Sequence, residues 1–329
     1  GSGKTLRDRS RAGYRNSLLL RSGIDKNVTN EVGRGFTMMS LCKDDAFSKD
    51  WNDLWKICCD QLDPWGVLSF GALLDVIVRS RRTSGGCFVR RLRRRLSSGL
   101  EVPLQVEVLE ADLCPLDLNR RLSVRRRIIQ GVEFDGKLRV AYWFYKAHPE
   151  DGIDYVSLNN LERVPASDVI HHYKMIRPGQ VRAEPDTAAA LLKDRTFSEY
   201  DDSELVRKKE RSAFTGFLYR EGGGADDFDY DPATGKQLFS DGETPVGESE
   251  TVRAGTMLRG VPGEKLELFS GDDTGSGYKD YMRWQGLLLG AGFNIPYQLL
   301  TGDWEGVNER LDRAIMNEGC RAIGFDKDK

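Results

Sequence analysis

The stretch GVEFDGKLRVAYWFY, residues 131–145, decides the fold class. Gly131–Phe134 and Lys137–Tyr145 are dominated by β-branched and aromatic residues, and Asp135-Gly136 between them is a strong two-residue hairpin signal. Upstream, Leu104, Val106 and Val108 alternate with polar residues, the pattern of a half-buried strand. Downstream, residues 168–176 (DVIHHYKMI) predict another strand, closed by Arg177-Pro178-Gly179.

Helices lie on both sides of this β-rich centre. Phe47, Trp51, Leu54, Trp55, Cys58, Cys59 and Leu62 fall on one broad helical face, which predicts a helix over 47–62 whose aromatics belong to the core. Asp63-Pro64 ends it, because the residue before proline is pushed out of the α region. A second helix is expected from Val67 to Val78, and helical composition returns from Ala188 to about Phe214. The Gly/Asp-rich stretch 221–247 predicts a loop, with short strands near Thr256–Leu258 and Leu266–Phe269. Tyr278, Tyr281, Met282, Gln285, Leu288 and Leu289 form a stripe on a helix ending near Gly290–Gly292. Asn308 can cap a last helix from Glu309. It reads as cut short at GFDKDK, so the chain is expected to be a piece of something longer. Helices and strands segregate along the chain, the mark of an α+β class.

At roughly 150 residues per domain, 329 residues make about two domains. No run approaches the ~18 apolar residues of a membrane span, and the N-terminus has no apolar signal-peptide core, so synthesis in the cytosol is expected. Net charge is −2, which excludes a globally basic nucleic-acid binder, yet the charge is segregated. Residues 79–127 carry thirteen arginines against five acids, net +8, while 221–250 carry nine acids against Lys236, net −8. Either one copy's basic face meets another's acidic one, or the fold supplies counter-charges internally.

Motifs for catalysis are missing. Gly1-Ser2-Gly3-Lys4-Thr5 spells the end of a phosphate-binding loop without the strand that would scaffold it. There is no GxSxG elbow. Cys42, Cys58, Cys59, Cys87, Cys114 and Cys320 show no CxxC spacing and are expected as reduced core thiols. Adjacent His171 and His172 in a strand point to opposite faces and cannot share a metal, and His148 precedes Pro149 in a loop. Asp272-Asp273 is explained by turn composition. No catalytic residue, cofactor or metal is assigned.

In order and spacing, several blocks together resemble the portal proteins of tailed bacteriophages, lambda-like type. They are GVEFD (131–135), AYWFY (141–145) with His148-Pro149, VPASDVIH (164–171), RPGQVRAEP (177–185), DDSELVRKKERSAFTGFLYR (201–220), AGTMLRGVPGE (254–264), GFNIPYQLLTGDWEGVN (292–308) and Arg313-Ala314 before Met316-Asn317-Glu318. The likeness runs from about Arg9 to Glu318. Two departures stand out. Arg182-Ala183-Glu184-Pro185 replaces an Arg-Gly-x-Pro turn, and Glu309–Asp312 replaces an expected Tyr-Ser-Ser.

The resemblance implies a closed ring, usually of twelve subunits, at one capsid vertex of a virion assembled in the host cytoplasm. Double-stranded DNA would pass through it. Its partners would be other copies, the terminase motor, then the head–tail adaptor, with the major capsid protein and scaffold around it, and no membrane. The portal fold would place a wing at 1–187, a stem helix at 188–217, a clip of β and loop at 218–270 and a second stem helix at 271–293. The start of a tunnel-loop and wing helix, cut short, would follow at 294–329. The acidic clip residues Asp226, Asp227, Asp229, Asp231 and Glu243 would then dock partners. Near-zero net charge suits a conduit, because a strongly basic channel would hold DNA through counterion release.

Lys208, Lys209 and Arg211 on the first stem helix, and Lys279 and Arg283 on the second, are candidates to line the channel. Lys279 and Arg283 lie four apart and share a helical face. Salt bridges between subunits, using Glu204, Glu210 and Asp280, explain the same residues equally well. Two other classes stay open: a DNA-processing protein built on the GSGKT start, and a charged adaptor or scaffold module without a channel.

Overall fold

Two antiparallel sheets hold the middle of the chain, and helices precede and follow them. The computed structural model describes residues 2–33, 35–36, 38–150, 157–158, 160–213, 216–220, 264–268 and 275–327. The chain divides into two units, one of residues 1–197 with 281–329 and one of residues 198–280.

In the larger unit, α1 (Ser2–Asn16), α2 (Leu18–Val32), α3 (Asp45–Gln61) and α4 (Phe70–Ser84) come first. Strands β1 (Cys87–Arg93) and β2 (Leu104–Leu109) pair with β8 (Val169–His172) in the order β2-β1-β8. A meander of β3 (Arg120–Arg121), β4 (Arg126–Ile129), β5 (Val132–Asp135), β6 (Leu138–Tyr145) and β7 (Leu161–Pro165) makes the second sheet. Both sheets close on Phe88, fully buried, whose ring lies 5.5 Å from Tyr142 and 5.1 Å from Phe144. Val132, Phe134, Val164 and Val169 complete that core.

The hairpin at 131–145 forms, but Asp135 pairs with Leu138, so Gly136-Lys137 are the turn, one residue later than the Asp135-Gly136 signal. Gly136 takes φ +62°, a conformation glycine adopts without cost. The preceding turn, Gln130-Gly131, places both residues at positive φ (+51° and +80°), as a tight primed turn requires. Glu133 on β5 is buried, accepting from Arg163 on β7 at 2.7 and 3.1 Å and from Trp143 Nε1 at 3.1 Å. The strand expected over 168–176 ends at His172.

A second core is helical. Leu20, Ile24 and Val28 of α2 sit one turn apart and pack with Val78, Ala190, Leu289, Phe293, Ile295 and Leu300. Gly23 lies flat on Phe293, where an added Cβ would come within 2.7 Å of the ring. Ser17 caps α2, its Oγ accepting from Leu20 N at 3.3 Å.

Several expectations need correction here. The second helix starts and ends later than Val67–Val78 because Ser69 caps it and Gly85, at φ +80°, terminates it. The apolar face of α3 is not all core: Phe47 is 54% and Leu54 44% exposed, and Trp51 stacks on a half-buried Trp55 at 6.2 Å. Of the cysteines, Cys58, Cys87 and Cys114 are buried, but Cys42 and Cys320 are exposed. The fold supplies counter-charges to much of the basic stretch. Arg81 and Arg82 meet Glu31 at 2.7 and 2.6 Å, Arg79 meets Asp25 and Asp75, Arg90 meets Glu162, and Arg91 and Arg93 share Asp168. Gly3, Lys4 and Thr5 lie inside α1, which Arg7 and Arg11 tie to Asp112.

The smaller unit holds most of α5 (Leu191–Ala213), the hairpin β9 (Gly216–Arg220) with β10 (Glu264–Leu268), and the first turns of α6 (Gly275–Phe293). After α6 come α7 (Tyr297–Thr301) and α8 (Glu309–Lys327) in the larger unit. Asn308 Oδ1 accepts from Leu311 N at 2.9 Å, the expected cap of α8. The expected strand at Thr256–Leu258, the acidic stretch 221–250 and Asp272-Asp273 fall outside the described residues.

Candidate nucleic-acid interface

In the smaller unit, Asp201, Glu204 and Lys208 recur along one side of α5, at helical spacing. Tyr278, at the start of α6, meets this side. Its hydroxyl donates to the Asp201 carboxylate, its ring stacks on Tyr200 at 6.1 Å, and the Lys208 ammonium lies 5.2 Å from the ring centroid. Bonding to the Asp201 carboxylate pushes the Tyr278 phenol up to about 12, and burial adds to the shift. Lys208 is thus positioned by an aromatic face while its charge remains at the surface. Glu204 is buried and pairs with Arg207 at 3.0 Å. That acid, proposed above as a bridge to a neighbouring subunit, has a partner within its own helix.

The other basic candidates lie on the same two helices. Lys209 and Lys279 are exposed on α5 and α6. Arg211 lies on α5, and its side chain is outside the described residues. Arg283 belongs to the larger unit, where its Nε lies 4.0 Å from Asp303 and its guanidinium 6.0 Å from the Tyr297 ring. Tyr297 in turn donates to Asp303 at 3.0 Å. Asp226, Asp227, Asp229, Asp231 and Glu243 lie outside the described residues. Tyr278 and Asp303 were not singled out as site residues. The sequence offers Tyr278 as part of a helical stripe, and its phenolic oxygen is the one signal that it needs a polar partner.

What the arrangement offers chemically is positive charge fixed on helices. The adjacent histidines behave as strand geometry dictates. His171 is stacked 4.3 Å from both Phe88 and Tyr173, and burial pushes it down to about 2, so it stays neutral. Among the described residues one cluster, Glu110, Asp112 and His148, brings ligand atoms within 4.8 Å of one another. Arg11 Nη2 sits 2.6 Å from Asp112 and 2.9 Å from Glu110, so a guanidinium already occupies the cation's place. No helix among the described residues is long and apolar enough to cross a membrane.

The family model for phage portal proteins of the lambda family matches residues 1–324. The probable portal protein of Halomonas phage phiHAP-1 is 24% identical over 317 residues, covering 93% of this chain and 59% of that protein. The chain therefore spans about three fifths of that relative's length. Among solved structures, a chain from the virion of a native gene transfer agent particle aligns with TM-score 0.55 at 11% identity, over 94% of this chain and 74% of that one. A chain from the neck of the empty particle, computed with C6 symmetry, gives 0.54 at 13% identity over 94% and 74%. One from the neck of the native particle, computed with C12 symmetry, gives 0.53 at 11% identity over 93% and 73%. These three are likenesses of fold, whereas the match over residues 1–324 is one of family. The chain belongs to the lambda family of phage portal proteins.

Proposed function

We propose that this chain is the subunit of a portal, a closed ring at one vertex of a phage capsid through which double-stranded DNA is packaged and ejected. The observation that carries the reading is the family match across residues 1–324. The fold likeness to chains of gene transfer agent necks, one computed with C12 symmetry, supports a ring of twelve. In this reading the subunit positions DNA and docks other proteins, and chemistry is left to the motor.

The wing is residues 1–187, the stem helices are 188–217 and 271–293, and the clip is 218–270. The acidic clip residues Asp226, Asp227, Asp229, Asp231 and Glu243 meet the terminase and later the head–tail adaptor. Capsid and scaffold proteins contact the outer surface, and the ring is assembled in the host cytoplasm. Lys208, Lys209, Arg211, Lys279 and Arg283 touch phosphates without reading bases, because passing DNA has arbitrary sequence.

Replacing Lys208, Lys209, Arg211, Lys279 and Arg283 with glutamine tests the DNA-contact role. Rings that form but package or retain DNA poorly are expected. Rings that fall apart as salt rises would show that these residues bridge subunits instead, and would defeat the DNA-contact assignment.

A further inference from the structure

Arg94 and Arg95 apart, which meet no carboxylate among the described residues, the unneutralised charge of the basic stretch gathers at one edge. Arg120 and Arg121 on β3 and Arg125, Arg126 and Arg127 around the start of β4 form the rim of the five-stranded sheet, and every residue from 119 to 127 is exposed. Arg121 and Arg127 are directly opposed across the two strands. Like charges so placed repel. Asp135 approaches Arg125 at 3.5 Å and Arg126 at 3.7 Å, whereas Arg120, Arg121 and Arg127 meet no carboxylate among the described residues. This differs from Arg79, Arg81 and Arg82, which the fold neutralises.

The shape is as particular as the charge. The turn is closed by Leu122 N and Ser123 N on Arg126 O, at 2.9 and 3.0 Å, and its tip exposes Val124 at 88%. The result is a sheet edge with arginines on both faces: β4 is paired with β5 on its other side, so β3 and the turn at 122–125 are what stand free. Charge on an edge strand also guards against aggregation. Five guanidinia around an exposed tip go further.

We propose that this β3–β4 edge binds double-stranded nucleic acid through its phosphates. It presents five exposed guanidinia around one turn, and the guanidinium fork matches phosphate oxygens. Asn119 Oδ1 accepts from Gln130 N and Ser123 Oγ accepts from Arg126 N, each at 3.0 Å, so these two side chains serve the turn and leave the contact to the guanidinia. Contacts made to phosphates carry no sequence information. An acidic polypeptide is the weaker fit, because β3 spans two residues and offers too short an edge for an added strand. The proposal deepens the portal reading by adding a DNA contact outside the stem helices. It is tested on free duplex, so its failure would leave ring formation untouched.

The experiment measures fluorescence anisotropy of a labelled duplex of about 20 base pairs and mixed sequence, titrated with the purified chain between about 50 and 200 mM salt. Each arginine lost from the phosphate contact should make the slope of log K against log salt shallower by about 0.9. The Arg121→Gln/Arg127→Gln variant should thus lose about 1.8, and the five-fold glutamine variant up to about 4.5. Removing a like-charge pair leaves the double variant able to fold even if the five-fold one is not, and its circular dichroism should match the parent's. An unchanged slope in the folded double variant would overturn the proposal. So would absence of duplex binding by the parent at the lowest salt. Displacement of the duplex by a peptide spanning residues 221–250, but not by unlabelled duplex, would overturn it in favour of an acidic protein partner.

Discussion

Replacing Arg163 by alanine should destabilise the larger unit through a carboxylate two strands away. Glu133 is 1% exposed, and Arg163 donates to both its oxygens, at 2.7 and 3.1 Å, with Trp143 Nε1 adding a third bond at 3.1 Å. Arg163→Ala leaves that buried carboxylate one donor. Breaking a buried pair by removing one partner costs about 3–5 kcal/mol. Arg163's side chain is 42% exposed, so solvent screens part of the interaction and the expected loss is about 2–3 kcal/mol at neutral pH. At about 2–4 °C per kcal/mol for a unit of this size, Tm should fall by about 4–12 °C.

The pH dependence carries a sign. Bonding to Arg163 holds the Glu133 carboxyl below its ordinary range, against the opposing pull of burial. In the parent this stabilisation is present above the unfolded value of about 4.3 and is lost as pH falls through the lower folded value. In the variant, burial without the guanidinium raises the folded value, so acidification relieves the penalty. Urea unfolding followed by circular dichroism should therefore show a gap that is widest near neutral pH and narrows below about pH 5. A loss under about 0.5 kcal/mol at neutral pH, or a gap that widens in acid, would refute the reasoning.

Three further outcomes are expected. Gly131→Ala forces a side chain into φ +80° with its Cβ 2.5 Å from Cys114 Sγ, so it should cost over about 2 kcal/mol by urea midpoint, and adding Cys114→Ala should relieve only the clash with the sulfur, since Pro115 O stays 3.0 Å from that Cβ. The Tyr278–Asp201 bond raises the phenol to about 12, so its stabilisation holds below the ordinary tyrosine value and is lost as pH rises through about 12; a phenolate titration of the parent minus Tyr278→Phe should show this late midpoint, and one at the ordinary value would contradict it. Deleting Gly222 to Gly247 should leave the thermal melt intact and abolish motor docking and packaging, while unimpaired packaging would refute the clip assignment.

The meander was legible at 131–145 because alternation and a glycine turn act over a few residues. Its turn shifted by one residue because Gly136, rather than Asp135, takes the positive φ. The Gln130-Gly131 turn was hidden, since glutamine rarely adopts positive φ. α1 and α2 gave little signal: α1 is rich in Arg, Ser and Gly, and α2 buries a single narrow line, Leu20, Ile24 and Val28. On α3 the periodicity identified a helix but not what covers its apolar face. Net charge over 79–127 could not tell paired from unpaired arginines, because Arg81 and Glu31 are fifty residues apart in sequence. For the same reason Lys208 was readable as a surface cation, but its seat on Tyr278 was not.

The central claim is that the subunit closes into a ring. Mass photometry and negative-stain imaging of the purified chain at micromolar concentration and moderate salt test it most directly. The portal account predicts closed rings of one dominant subunit number, with twelve as the expected value, seen end-on with an open centre. Monomers throughout, or open chains that never close, would contradict it.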